Sequence, residues 1–202
     1  MSPSRRLTLL RGSRRRDGDI APYLDAKTFM PTSKARSWDE YAFVAIGSNL
    51  GDSATILRRA LPRLQDFSVE PLVRSSIWKT TPVDCPPGSP AFLNAMAALM
   101  PDLTETPEHL LSKLKAVEIE FGRKPKVVLN EPRPLDLDLI TFGLEVRETD
   151  SLTLPHPRAH LRRFVLEPLS EIAPDFILPN QQQTVRELLQ QLTSDEKVVR
   201  VH

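Results

Sequence analysis

The sequence predicts an α+β sandwich, with helices packed on one face of a mostly antiparallel sheet and further elements added toward the C-terminus. Three observations predict it. Strand-like and helix-like segments between Tyr41 and Phe142 follow the order strand, helix, strand, strand, helix, strand. The run Phe92–Leu99 is apolar on both alternating sets, as expected of a buried strand. The stretch from Thr106 to Gly122 carries its own start, stripe and stop.

The chain has 202 residues, 40% of them hydrophobic. That suffices for one domain of about 150 residues with some extra length. Lys and Arg number 27 against 26 Asp and Glu, a balance that creates no long-range field calling for a nucleic-acid or membrane partner. No apolar run approaches the roughly 20 residues needed to span a bilayer, so the body reads as soluble. Cys85 is the only cysteine, which excludes an intrachain disulfide and a cysteine-built zinc site and fits a reducing, cytoplasmic location. Nothing in the composition demands an assembly, so a monomer or a weak homodimer is expected.

Residues 1–40 differ from the rest. Arg5, Arg6, Arg11, Arg14, Arg15 and Arg16 crowd the start, no acid precedes Asp17, and no apolar period is sustained. The segment reads as a disordered or loosely attached basic extension ahead of a domain spanning 41–202. A transit peptide, a nucleic-acid arm and an upstream start codon remain alternatives.

From Tyr41 the elements follow in order. Tyr41 to Ile46 is a short apolar strand ended by the turn signal Gly47-Ser48-Asn49. Ile56, Leu57, Ala60, Leu61 and Leu64 recur at helical spacing, and Pro62 predicts a kink or an early end. Val69 to Lys79 is an extended segment, and Thr81 to Pro90 a proline-rich loop. In the second helix Thr106 caps the start, Pro107 suits the first position, Leu110, Leu114, Val117 and Phe121 form one stripe, and Gly122 stops it. A basic, proline-rich loop over 123–134 leads into a strand at Leu135–Phe142. An apolar segment near Phe164–Leu166 follows, and Thr184 with Glu187 marks a closing helix by a capping box.

The informative segment is Leu135-Asp136-Leu137-Asp138-Leu139-Ile140. On a strand the leucines share one face and the two aspartates the other. Two neighbouring carboxylates repel unless a cation neutralises them, and so few hard oxygen ligands suit Mg²⁺, which keeps water and phosphate in its remaining positions. A solvated polar face of an edge strand is the other reading of the pair. Arg123, Lys124, Lys126 and Arg133 in the adjoining loop add the cations that a multi-oxygen anion requires. No Gly-x-x-x-x-Gly-Lys-Ser/Thr loop, dinucleotide glycine motif or protein-kinase signature is present.

Several blocks in one order then match a family: Ala45-Ile46-Gly47-Ser48-Asn49-Leu50, Thr80-Thr81-Pro82, Phe92-Leu93-Asn94, Glu118 with Gly122-Arg123, Pro132 to Asp138, and Leu154-Pro155-His156-Pro157 through Arg162 to Phe164–Pro168. Over residues 41–179 the sequence resembles the 6-hydroxymethyl-7,8-dihydropterin pyrophosphokinases. The resemblance implies a ferredoxin-like sandwich that moves diphosphate from ATP to a reduced pterin in folate synthesis. It implies that Asp136 and Asp138 hold two Mg²⁺ ions and that Arg123 and Arg133 act on the triphosphate. Leu111, Glu118, Leu139, Thr153, His156 and Arg162 join those arginines on the ATP side. Thr81, Pro82, Asp84, Phe92, Asn94 and Phe164 receive the pterin, with the two phenylalanines as a clamp. The sequence departs from the family's usual pattern at Pro125, Asn130, Glu131, Ser151 and Pro157, mainly in the loop over ATP. A sheet that binds single-stranded RNA is a rival of another class, although a carboxylate pair there would repel phosphate. An inactive relative kept as a scaffold is a second rival.

Overall fold

The computed structural model describes residues 24–25, 37–83, 85–125 and 131–201. Most of the basic extension, Asp84 and residues 126–130 lie outside the described residues. In chain order the elements are β1 (Leu24–Asp25), β2 (Ala42–Ser48), α1 (Ser53–Gln65), β3 (Val73–Arg74), β4 (Trp78–Thr80), β5 (Phe92–Leu99), α2 (Pro107–Glu120), β6 (Asp136–Phe142), β7 (Arg147–Glu148), β8 (Thr153–Leu154), α3 (Arg163–Ile172), α4 (Val185–Gln191) and β9 (Val198–Arg200). Short 3₁₀ turns occupy Trp38–Glu40 and Ala159–Leu161. Among the described residues no helix is long and apolar enough to cross a membrane.

The main sheet runs β1-β3-β5-β2-β6, with β4 also paired to β5 and β9 added beyond β4. β2 is antiparallel to both β5 and β6, and among the described residues only the β1–β3 pair is parallel. The extended segment expected from Val69 to Lys79 is two strands with a break between them. Ser75 makes the break without losing ladder bonds: its N–H donates to the Met96 carbonyl and its hydroxyl accepts from the Met96 N–H, both at 2.9 Å. Between Phe43 and Val44 the partners on β6 jump from Thr141 to Leu139, so Ile140 is an extra residue, a bulge.

One face of the sheet sends Val44, Ile46, Ala97, Leu99, Leu137 and Leu139 against Leu57 and Leu64 of α1 and Leu110, Leu114 and Val117 of α2. The other sends Phe43, Met96, Ala98 and Ile140 against Val165, Leu166 and Leu169 of α3, with Val185 at the start of α4. Helices therefore cover both faces, not one as expected. The apolar alternation of β5 on its two sides is the physical reason, since both sets of side chains need a partner. α3 stops short of the end of the sheet where β2 finishes at Gly47 and Ser48, and that end of the second face stays open.

Local signals account for the helices. Asp52 caps α1, accepting from the Thr55 N–H, and the helix passes through Pro62 to Gln65 without the early end that proline suggested. Arg63 beyond Pro62 is anchored to Asp66 at 2.5 Å and to Glu120 at 3.0 Å, so this last turn is held from outside. α2 begins as its sequence indicates, with the Thr106 hydroxyl accepting from the His109 N–H at 3.2 Å, and Gly122 ends it at φ +90°. The capping box at Thr184 and Glu187 is formed in both directions.

Thr106→Ala is expected to lower unfolding stability by about 1 kcal/mol, the usual cost of a lost N-cap, as read from the midpoint of denaturant unfolding.

Candidate active site

The open end of the sheet is lined by three neighbouring strands. Register places Asp136 beside Gly47 and Asp138 beside Ala45, while Asn94 stands on the other side of Gly47. Asn94 also faces Trp78, and Thr80 faces Phe92. Arg162 and Phe164 from the start of α3, and Arg133 from the loop before β6, close over these strands. Together with Thr81, Val83 and Cys85 they enclose one cavity.

The floor is rigid for identifiable reasons. Asn94 is buried, and its side-chain amide donates to the Thr80 hydroxyl at 2.8 Å. That bond fixes which way the amide faces, because a buried amide must find partners. Gly47 is needed beside it: a Cβ there would stand 3.0 Å from the Asn94 side-chain oxygen.

Charge is concentrated around Asp136. Its two oxygens accept from Arg123 Nη1 at 2.5 Å and Arg133 Nη2 at 2.7 Å. Burial pushes this carboxyl up, but the two guanidinium groups together outweigh it and hold Asp136 below the ordinary carboxylate range. Behind it, the buried Glu118 of α2 accepts from the Leu137 N–H at 2.7 Å, from Arg123 Nη1 at 2.6 Å and from Lys115 at 3.1 Å. Burial dominates here and pushes Glu118 up despite those cations. On the far side of the pair, burial pushes His156 below the ordinary imidazole range, against the attraction of Asp138.

Each phenylalanine carries a guanidinium over its ring, Arg133 on Phe92 at 5.6 Å and Arg162 on Phe164 at 5.3 Å. The Arg133 Nε is buried with no hydrogen-bond partner among the described residues. Arg133 also lines a second groove, shared with Arg123, Lys124, Gly122 and Glu131. The cavity and this basic groove therefore meet at Arg133, and Arg123 of the groove reaches Asp136 of the cavity.

The structure brings together most of the residues singled out in the sequence. Thr81, Phe92, Asn94, Arg133, Asp136, Asp138, Arg162 and Phe164 line the cavity, and Arg123 and Glu118 join it through Asp136. Pro82 lies between two lining residues, and Asp84 lies outside the described residues. Leu139 is buried in the α1–α2 core and Leu111 packs on its edge, while Thr153 is exposed on β8. His156 sits behind β6, its N–H donating to the Ile140 carbonyl at 2.8 Å. Sequence reasoning gave Thr80 no role, although it sets the Asn94 amide. Its signal is a pairing of distant strands, which no local pattern reveals.

The sequence model of the 7,8-dihydro-6-hydroxymethylpterin-pyrophosphokinase (HPPK) family matches residues 43–174, which include the floor, both arginines and both aspartates. The chain belongs to this family. Among curated members, the 2-amino-4-hydroxy-6-hydroxymethyldihydropteridine pyrophosphokinase of Haemophilus influenzae is 38% identical over 162 residues, covering 80% of this chain and 98% of its own length. That of Bacillus subtilis is 39% identical over 132 residues, 65% of this chain and 77% of its own. A crystal structure of Plasmodium falciparum HPPK-DHPS superposes with a TM-score of 0.59 over 75% of this chain at 13% identity, which shows a shared fold. The chain spans 44% of the length of that larger protein. In this HPPK chain the family match ends at residue 174, before α4 and β9.

Gly47→Ala is expected to reduce pyrophosphokinase turnover about tenfold or more, since small displacements of a binding group cost that much. The melting temperature should change little, as the contact lies at the open end of the sheet.

Proposed function

We propose that the chain transfers diphosphate from ATP to the hydroxymethyl group of 6-hydroxymethyl-7,8-dihydropterin and releases AMP, a step of tetrahydrofolate synthesis. The observation that carries this reading is the junction at Asp136, where an aromatic cavity and a basic groove share Arg133 and the cavity's carboxylate pairs with two arginines of the groove. A reaction that joins a flat heteroaromatic alcohol to a polyphosphate needs that junction. The β6-β2-β5-β3 strand order, with crossovers through α1 and α2, supports a ferredoxin-like assignment with α3, α4 and β9 as additions.

On this reading Phe92 and Phe164 stack on the pterin, and Asn94, held by Thr80, reads its edge. Thr81, Pro82 and Asp84 supply the rest of that edge. ATP lies along the basic groove with its triphosphate toward Arg123 and Arg133; Leu111, Glu118, Leu139, Thr153, His156 and Arg162 flank or support it. Two hard carboxylates on one face, with no third ligating side chain grouped with them among the described residues, fit Mg²⁺ ions that take their other ligands from phosphate and water. When bound at Asp136 and Asp138, those ions neutralise phosphate charge and lower the pKa of the attacking hydroxyl.

The chain's own residues do the rest by alignment. The hydroxymethyl oxygen attacks the β-phosphorus in line, the bond from that phosphorus to the bridging oxygen breaks and leaves that oxygen on AMP, and the hydroxyl proton passes to solvent water. Arg123 and Arg133, each bonded to Asp136 by a single nitrogen, leave it for phosphate oxygens, which carry more charge and can take both arms of a guanidinium. Glu118 keeps Arg123 close during that exchange.

Asp136→Ala and Asp138→Ala are each expected to reduce AMP formation at least a thousandfold, the scale on which transition-state charge stabilisation is lost. Near-normal turnover in either variant, measured over a Mg²⁺ titration, would overturn the metal assignment.

A further inference from the structure

The C-terminal segment crosses the two walls of the cavity and is bonded to both. On one wall β9 pairs with β4, setting Thr80 opposite Val198 and Trp78 opposite Arg200. The ladder continues past the strands: the Thr81 N–H donates to the Lys197 carbonyl at 3.1 Å, and the Lys197 N–H donates to the Thr81 hydroxyl at 3.2 Å. On the other wall Glu196 accepts from the Phe164 N–H at 3.0 Å. Arg200 reaches the same helix further along, donating to Glu171 at 3.1 Å, and Glu171 in turn accepts from the Ser76 and Trp78 N–H groups.

The Glu196 bond fills a gap in α3. The residue before this helix, Arg162, makes no side-chain cap, so the first N–H groups depend on acceptors from elsewhere. A carboxylate there also meets the positive end of the helix dipole. It is an acceptor delivered from 32 residues away, onto the residue whose ring roofs the cavity. Burial contributes little to holding the segment, since Val199 is 63% and Val201 42% exposed. Its attachment is mostly polar, and it lies beyond residues 43–174 of the family match.

We infer that residues 196–200 act as a strap that sets the spacing between Phe164 and the Thr80–Thr81 wall, with Glu196 as the positioning residue for the aromatic roof. This rests on the reading of the cavity as the pterin site. Without the carboxylate the first turn of α3 loosens, and the ring no longer holds one distance from Phe92. The basic groove is not attached to the strap, and of the residues assigned to the ATP side only Arg162 adjoins the loosened turn, so nucleotide binding changes much less than pterin binding.

The test uses the full chain with Glu196→Ala and Glu196→Gln, following AMP release while pterin and ATP are varied separately. Glu196→Ala should raise KM for the pterin about tenfold, equivalent to about 1.4 kcal/mol. KM for ATP should stay within about twofold, and Glu196→Gln, which keeps an acceptor oxygen, should recover most of the loss. An unchanged pterin KM overturns the strap, as does an equal rise in both KM values with a lower melting temperature. If the wild-type chain releases no AMP, the proposed reaction falls, and amide exchange decides the strap separately. Faster exchange at Phe164 and Thr81 in Glu196→Ala supports it; unchanged exchange overturns it.

Discussion

A single buried carboxylate ties the helical layer to the catalytic edge of this protein. Glu118 projects from the last turns of α2 onto the outer edge of β6, where it takes the Leu137 N–H that no further strand among the described residues receives. The same oxygen holds Arg123, and Arg123 holds Asp136. Burying a charge is costly, and burial does push Glu118 toward its protonated form. The arrangement persists because three donors converge on that oxygen, and removing any one leaves the others facing an imperfectly satisfied charge.

From that anchor the site is a chain of dependences. Asp136 is held between two arginines, one fixed by Glu118 and the other stacked on Phe92. Neither guanidinium is free to drift, and on the proposed reading phosphate oxygens draw both away from Asp136. The same restraint operates across the cavity, where Thr80 orients Asn94 and Gly47 leaves room for it. Rigid floor, exchangeable cations and a roof held by polar bonds divide the work between positioning and response.

Much of this was legible in the sequence, for reasons that differ by residue. Asp136 and Asp138 share a face because strand geometry alternates, and the α2 cap and stop are written in Thr106, Pro107 and Gly122. The capping box at Thr184 is likewise a local pattern. The second helical layer was hidden because α3 showed only a brief apolar run, interrupted in pattern by Pro168 and Glu171. The break at Ser75, the passage of α1 through Pro62 and the hydroxyl of Thr80 facing Asn94 all depend on strands or side chains distant in sequence. Phe164, singled out through the family resemblance, lines the cavity, but its bond to Glu196 could not be foreseen, because nothing near either residue records the other.

The bulge at Ile140 has a bearing on how this sequence can vary. It uses up one residue between the end of β6 that lies in the core and the end that carries Asp136 and Asp138. Removing that unpaired residue would leave Leu139 opposite Val44 and both carboxylates on the open face, whereas adding or removing one between the bulge and Asp138 would turn them into the packed layer beneath α1 and α2. The bulge is thus where this strand can lose a residue without reversing its faces, while its length from there to Asp136 is fixed by the alternation. Length differences among relatives should therefore collect in the loops on either side of β6 or at the bulge, and be absent between the bulge and Asp136.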